Sequence, residues 1–243
     1  MMMALLLSLS NSLCKMLNWP LERITDAEGA HPGVQSISTN AHRMSWQGQV
    51  IHLSGKQWYP YDDGSWLVVF MEAHSRYCML NHYPMKPNRE QVLADFYQYW
   101  KLHLVGWLRA RGVMSTDEDG IWVLDNIEHF FEQSQVTYFR NLDPSIGAHI
   151  ADLSAYLHEY FDNYRPPGFE HDTAWALSIY INQRPRRVKG QRRKQDQFYP
   201  ALRFTEDALY RFASGLSTER YPNVNAGDFP CPYPEAPALR VLE

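Results

Sequence analysis

The sequence has few cysteines and no long apolar run. Its 3 cysteines, Cys14, Cys78 and Cys231, are far apart and form no CxxC pair. Because their number is odd and their spacing wide, they exclude a disulfide framework and a zinc knuckle, and they fit a reducing compartment. No apolar run reaches the roughly 18 residues that a membrane span requires. We therefore predict a soluble, cytoplasmic protein with no membrane partner.

Motifs for enzymatic catalysis are also missing. The chain contains no HExxH or HxH pair, no G-x-S-x-G elbow and no phosphate-cradling glycine loop. His149 and Asp152 share one helix face, as do His158 and Asp162, but a zinc site needs three or four converging ligands. Cys78 falls in a predicted strand and is expected in the core. We predict no metal site and no cofactor.

Acidic residues cluster at two predicted turns, Asp62-Asp63 and 117–119. Aspartate is favoured in turns for backbone reasons alone. Glu72 ends a predicted central strand, near Asp62 and Lys86 in sequence, and carboxylates with a lysine can hold hydrated Mg²⁺. A Mg²⁺-dependent nuclease or phosphoesterase is therefore one alternative function.

Positive charge is concentrated in one segment, which we call the basic loop, residues 184–194. It holds seven basic residues and no acidic one: Arg184, Arg186, Arg187, Lys189, Arg192, Arg193 and Lys194. Removing these seven from the 23 basic residues leaves 16 against 27 acidic residues, so the rest of the chain is acidic. This asymmetry is the strongest functional signal in the composition.

Clustered guanidinium groups bind phosphates because they stay charged and present forked donors. Pro185 and Gly190 favour an irregular loop over a helix, and Phe198 and Tyr199 are close enough in sequence to stack on bases. The loop therefore indicates contact with nucleic acid or another polyanion. The competing interpretation is a solvated loop that pairs with the acidic body or aids solubility.

Apolar periodicity predicts the fold. Strands are predicted at 4–10, 50–53, 66–71, 76–80, 135–139 and 174–181, and helices at 11–18, 88–111, 143–163 and 206–213. Asn88 and Gln91 form a capping pattern for the second helix, which Gly112 ends. We predict an α/β or α+β fold with one domain over 1–216, built on a central mixed sheet of about five strands flanked by two long amphipathic helices. A Pro-rich tail follows at 217–243.

Several motifs occur in an order that resembles an uncharacterised bacterial family, a domain of unknown function. They are an N-terminal strand and helix over 5–17, Trp66 followed by Arg76-Tyr-Cys78, a long helix, and a helix-opening pattern matched at Ser145, Ile146, Gly147, Asp152 and Leu153. Asn182-x-x-Pro185 fits as well, whereas Asp143-Pro144 replaces the usual Asn-Arg. The resemblance covers about two-thirds of the chain. It implies an α/β fold and no established activity, so it assigns no catalytic residues.

Three functions follow in rank. The first is a non-enzymatic binding or accessory protein that contacts nucleic acid or an acidic protein through the basic loop. The second is the Mg²⁺-dependent enzyme, which would use Asp62, Asp63 or Glu72. The third is a structural protein that self-associates through an exposed aromatic face and docks its basic loop on an acidic neighbour. The sequence leaves the oligomeric state open.

Overall fold

The computed structural model describes residues 4–24, 38–39, 43–113, 118–140, 144–164, 168–187 and 197–213. Within them, five strands form one sheet: β1 (Ala4–Leu9), β2 (Arg43–His52), β3 (Trp66–Glu72), β4 (Cys78–Tyr83) and β5 (Gln135–Phe139). Their order is β4-β3-β2-β1-β5. β1 runs parallel to β2 and β5, whereas β3 is antiparallel to both β2 and β4. The predicted mixed sheet of about five strands is confirmed.

The described residues form six α-helices: α1 (Asn11–Met16), α2 (Arg89–Ala110), α3 (Glu118–Gln133), α4 (Pro144–Tyr164), α5 (His171–Asn182) and α6 (Pro200–Phe212). Asn88 caps α2 as predicted, since its side-chain oxygen accepts a hydrogen bond from the Gln91 amide at 2.8 Å. Gly112 follows the helix with φ +74°, a left-handed conformation that glycine adopts without strain. α2 and α4 confirm the two long predicted helices, and the fold is α/β.

Helices cover both faces of the sheet. On one face, β1 and β2 pack against α1, α2, α3 and α6. Trp46 lies at the centre of this layer, with its ring centroid 5.5 Å from Phe96 and 5.2 Å from Trp100. Such edge-to-face pairs add about 1 kcal/mol each beyond the apolar area that they bury. On the other face, Leu67, Val69 and Met71 of β3 pack against α4 and α5.

The prediction of a strand at 174–181 is wrong, because this segment forms α5. Ser178 and Asn182 lie four residues apart, so they share one face of the helix, and that face meets the edge strand β4. Asn182 accepts from the Cys78 amide at 2.8 Å and donates to the Cys78 carbonyl at 2.6 Å, while Ser178 accepts from the Leu80 amide at 3.0 Å. These side chains satisfy the backbone groups that another strand would have paired. Helix α5 therefore closes one edge of the sheet.

Other boundaries differ less. The acidic turn predicted around 117–120 is in part the start of α3, and the helix predicted at 206–213 begins earlier, at Pro200. The short strand at 50–53 is the end of a ten-residue β2. The predicted tail at 217–243 lies outside the described residues. No helix in the described part of the chain is long and apolar enough to span a membrane.

Candidate functional site

A hydrogen-bonded pair of residues encloses most of the basic loop. The Arg186 amide donates to the Phe198 carbonyl at 2.8 Å, and the Phe198 amide donates to the Arg186 carbonyl at 3.0 Å, which makes an isolated antiparallel bridge. Four of the predicted phosphate-binding residues, Lys189, Arg192, Arg193 and Lys194, lie outside the described residues. By sequence they fall between the two bridged positions, so both ends of the segment that carries them are fixed to each other.

Arg184 lies before this bridge and already has partners. Its Nη2 forms an ion pair with Glu159 of α4 and donates to the Tyr180 hydroxyl. Its guanidinium carbon also lies 4.6 Å from the centroid of the Tyr180 ring. Arg184 therefore links α4 to α5. Its predicted phosphate contact stays a prediction, and that contact would compete with the Glu159 carboxylate.

Arg187 is exposed, and its side-chain partner is neutral. When the Gln197 amide is oriented with its oxygen toward the guanidinium, it accepts from both Nε and Nη2 of Arg187 at 3.1 Å. A neutral partner orients the guanidinium without cancelling its charge. Of the three described arginines in the basic loop, Arg187 is the one best placed to meet a ligand from solvent.

Arg186 is in the opposite situation, with only 5% of its surface exposed. Its Nε and Nη2 atoms are buried and form no hydrogen bond within the structure. Burial lowers the pKa of Arg186, while the nearby Cys78, Tyr156 and Asp152 act to raise it. Asp152 is exposed on α4, and no ion pair joins it to Arg186 among the described residues. The base of the loop therefore contains a buried cation without a direct counterion.

Phe198 and Tyr199 were both predicted to stack on bases, and the structure bears differently on the two. Phe198 cannot stack on a base, because it is 6% exposed and the Arg203 guanidinium lies 3.7 Å from its ring centroid. The reason is that Phe198 pairs with Arg186 through its backbone and turns its ring into the protein. Tyr199 is only half-buried, so its stacking on a base stays a prediction.

The carboxylates of the alternative enzyme site do not converge. Glu72 is buried, and it accepts hydrogen bonds from the Ser75 amide at 2.6 Å, the Ser75 hydroxyl at 2.7 Å and the His74 amide at 2.9 Å. It thus holds the β3–β4 turn. Asp62 and Asp63 precede β3, whereas Glu72 ends it, so the length of the strand, roughly 20 Å, separates them.

The smaller clusters also have structural explanations. Asp63 accepts from the Ser65 amide at 2.8 Å, a turn contact. His158 stacks on Trp58 with ring centroids 4.9 Å apart. Cys78 is fully buried, as expected of a core residue, and burial raises its thiol pKa to about 12, which disfavours the nucleophilic thiolate. The described residues contain no group of three or more histidine, cysteine or carboxylate side chains suited to a metal ion.

Sequence reasoning missed a buried polar network between β4, α2 and α5. The Trp107 indole donates to the Tyr77 hydroxyl at 2.6 Å, and the same hydroxyl is hydrogen-bonded to Nδ1 of His103 at 2.8 Å. His103 also stacks on Trp175 with ring centroids 4.0 Å apart. Burial lowers the pKa of His103 to about 3, so the imidazole is neutral. The only sequence signal was a histidine within the apolar face of α2.

Two residues from separate sequence motifs, Cys78 and Asp152, lie close enough to Arg186 to influence its charge, and a third, Asn182, is bonded to Cys78. The candidate site is therefore the junction of β4, α4 and the base of the basic loop. No family model, curated protein or solved structure matches the chain.

Proposed function

We propose that this protein is a non-enzymatic binding protein that holds nucleic acid through the basic loop. The Arg186–Phe198 bridge supports this proposal most directly, because it fixes the ends of a short segment rich in cations. Cations concentrated in this way bind a phosphate backbone and release its condensed counterions. Arg187 adds an exposed guanidinium next to the bridge.

The expected contacts position the ligand without reading its sequence. Lysine and arginine contacts to phosphate oxygens carry no base information. The sequence offers Tyr199 as a base-stacking residue, and stacking is tolerant of sequence because every base has a π-face. We therefore expect affinity that depends strongly on salt and little on base sequence.

Fluorescence anisotropy of labelled single-stranded DNA, duplex DNA and RNA tests the proposal at about 50 and 200 mM salt. If the four cations at Lys189, Arg192, Arg193 and Lys194 each neutralise one phosphate, the duplex affinity should fall about 100-fold over this fourfold change in salt. The triple variant Arg192→Glu, Arg193→Glu, Lys194→Glu should abolish binding.

A triple variant with the same charge change elsewhere serves as the control. Lys15, Lys56 and Lys86 are exposed lysines outside the loop, and their replacement by Glu should leave most of the binding intact. Equal losses in the two triple variants would reduce the interaction to net charge and contradict a localised site. Binding only to acidic proteins would contradict a nucleic-acid ligand, and cleavage of the probes with Mg²⁺ would assign an enzyme instead.

A second candidate function is self-association, and the surface of α3 favours it. Ile121 is 57% exposed, and Trp122 and Leu124 are exposed beside it, which is an unusual group of apolar residues for a helix surface. The acidic body and the basic loop of two copies are also complementary in charge. Light scattering should then give a mass above 28.4 kDa that falls to it in Trp122→Glu. A wild-type mass of one chain at all concentrations contradicts this candidate.

A further inference from the structure

The two atoms of Arg186 that lack partners are the two that form one edge of its guanidinium. Nε–H and Nη2–H point in the same direction, and this fork matches two oxygens of a phosphate or a carboxylate. Both atoms are buried and neither donates a hydrogen bond within the structure. A buried charge without hydrogen bonds is costly, so an anion that reaches this fork gains an interaction that water does not already provide.

Among the residues that the structure describes, the neighbours of Arg186 do not supply this anion. Cys78 is a neutral thiol, and its backbone amide and carbonyl are both engaged by Asn182. Tyr156 offers a hydroxyl rather than a charge. Within the described part of the chain, Asp152 is the carboxylate that influences the guanidinium, and it lies exposed on α4 without an ion pair to it. The site therefore has a forked donor without an acceptor. It also has one carboxylate close enough to weaken the binding of an incoming anion.

We infer that Arg186 is the buried anchor of a phosphate subsite at the base of the basic loop. This inference rests on the proposed function, and it separates two kinds of contact within it. The other cations of the basic loop attract the phosphate backbone at a distance, whereas the Arg186 fork holds one phosphate group through two hydrogen bonds. Because the fork has no contact with solvent, the phosphate enters only when the local packing opens, so we expect slow association.

Inorganic phosphate and pyrophosphate are the probes, and sodium chloride at matched ionic strength is the control. The unfolding temperature of the wild-type full chain should rise with either probe and not with chloride. The Arg186→Met protein should show no rise, and without probe it should unfold at the same temperature as the wild type or higher, because methionine removes a buried unpaired charge. A rise in Arg186→Met equal to that of the wild type would overturn the inference.

Two further variants keep the test decisive if Arg186→Met fails to fold. Arg186→Lys retains the charge and loses the fork, so its phosphate affinity by calorimetry should fall at least tenfold. Asp152→Asn removes the neighbouring carboxylate and should strengthen phosphate binding. Unchanged affinity in Arg186→Lys refutes bidentate anchoring.

The failure of this inference can be told apart from failure of the proposed function. Oligonucleotide binding that is lost in the loop triple-Glu variant but unchanged in Arg186→Met supports the loop and overturns the subsite. Phosphate stabilisation that persists in the loop triple-Glu variant supports the subsite even if no nucleic acid binds.

Discussion

Replacing His103 with glutamine should flatten the acid side of the stability profile. His103 is fully buried, and burial lowers its pKa from 6.5 to about 3. The folded protein therefore binds this proton only below about pH 3, whereas the unfolded chain binds it below about pH 6.5. Between these values the unfolded state holds more protons, so stability is lost as the pH falls through 6.5.

The size of the effect follows from that difference in pKa. Between pH 6 and pH 4, proton uptake by the unfolded chain at this one residue should reduce the free energy of unfolding by roughly 2 to 3 kcal/mol. The glutamine amide can accept or donate a hydrogen bond with the Tyr77 hydroxyl, so His103→Gln keeps the network and removes the titration. The wild type should lose that much more stability than the variant over this range.

Urea unfolding at a series of pH values, followed by tryptophan fluorescence, measures the difference. His129→Gln is the matched control, because it makes the same substitution at an exposed histidine, on α3. Some slope will remain in His103→Gln, since burial also lowers the pKa of His82. Parallel profiles for the wild type and His103→Gln would refute a neutral, buried imidazole.

Three further substitutions test the contacts that define the sheet, each by urea unfolding. Asn182→Ala should lower the free energy of unfolding by about 2–5 kcal/mol, because it leaves an amide and a carbonyl of edge strand β4 unpaired. A loss below about 1 kcal/mol would mean that water replaces the side chain. Gly48→Ala should lower the free energy of unfolding by about 1–3 kcal/mol, since a Cβ would lie 2.8 Å from side-chain atoms of both Leu9 and Phe70. Unchanged stability would show that these two side chains can move. Glu72→Ala should lower the free energy of unfolding by about 3 kcal/mol, because it leaves the amides of His74 and Ser75 without their acceptor, and full stability would reopen a catalytic role for Glu72.

Elements with strong local signals could be predicted from the sequence. The cap at Asn88, the apolar repeat of α2 and the glycine at its end all act within a few residues, so their effect does not depend on the rest of the fold. The parallel pairing of β1 with β5 could not be predicted in the same way. Its two strands are separated by more than 120 residues, and nothing in either segment specifies the partner.

The incorrect strand at 174–181 shows where local signals are insufficient. A short apolar run with β-branched residues suits a buried strand and a buried helix equally well. The deciding contacts are those of Ser178 and Asn182 with β4, about 100 positions earlier in the chain. For α3 the helical repeat was present in the sequence, because the apolar residues Val123, Ile127 and Phe130 are spaced by four and three. The acidic residues at the start of this helix favoured the prediction of a turn instead.

The candidate site shows a similar limit within a single charge cluster. Arg186 and Arg187 are adjacent in sequence, and composition treats them alike. The antiparallel bridge gives this position strand-like geometry, in which successive side chains point to opposite sides, so one guanidinium is buried while the next is exposed. Exposed cations set the strength of attraction to a polyanion, whereas a buried fork can select the geometry of the group that it binds. If the loop has specificity beyond charge, we expect it to come from Arg186.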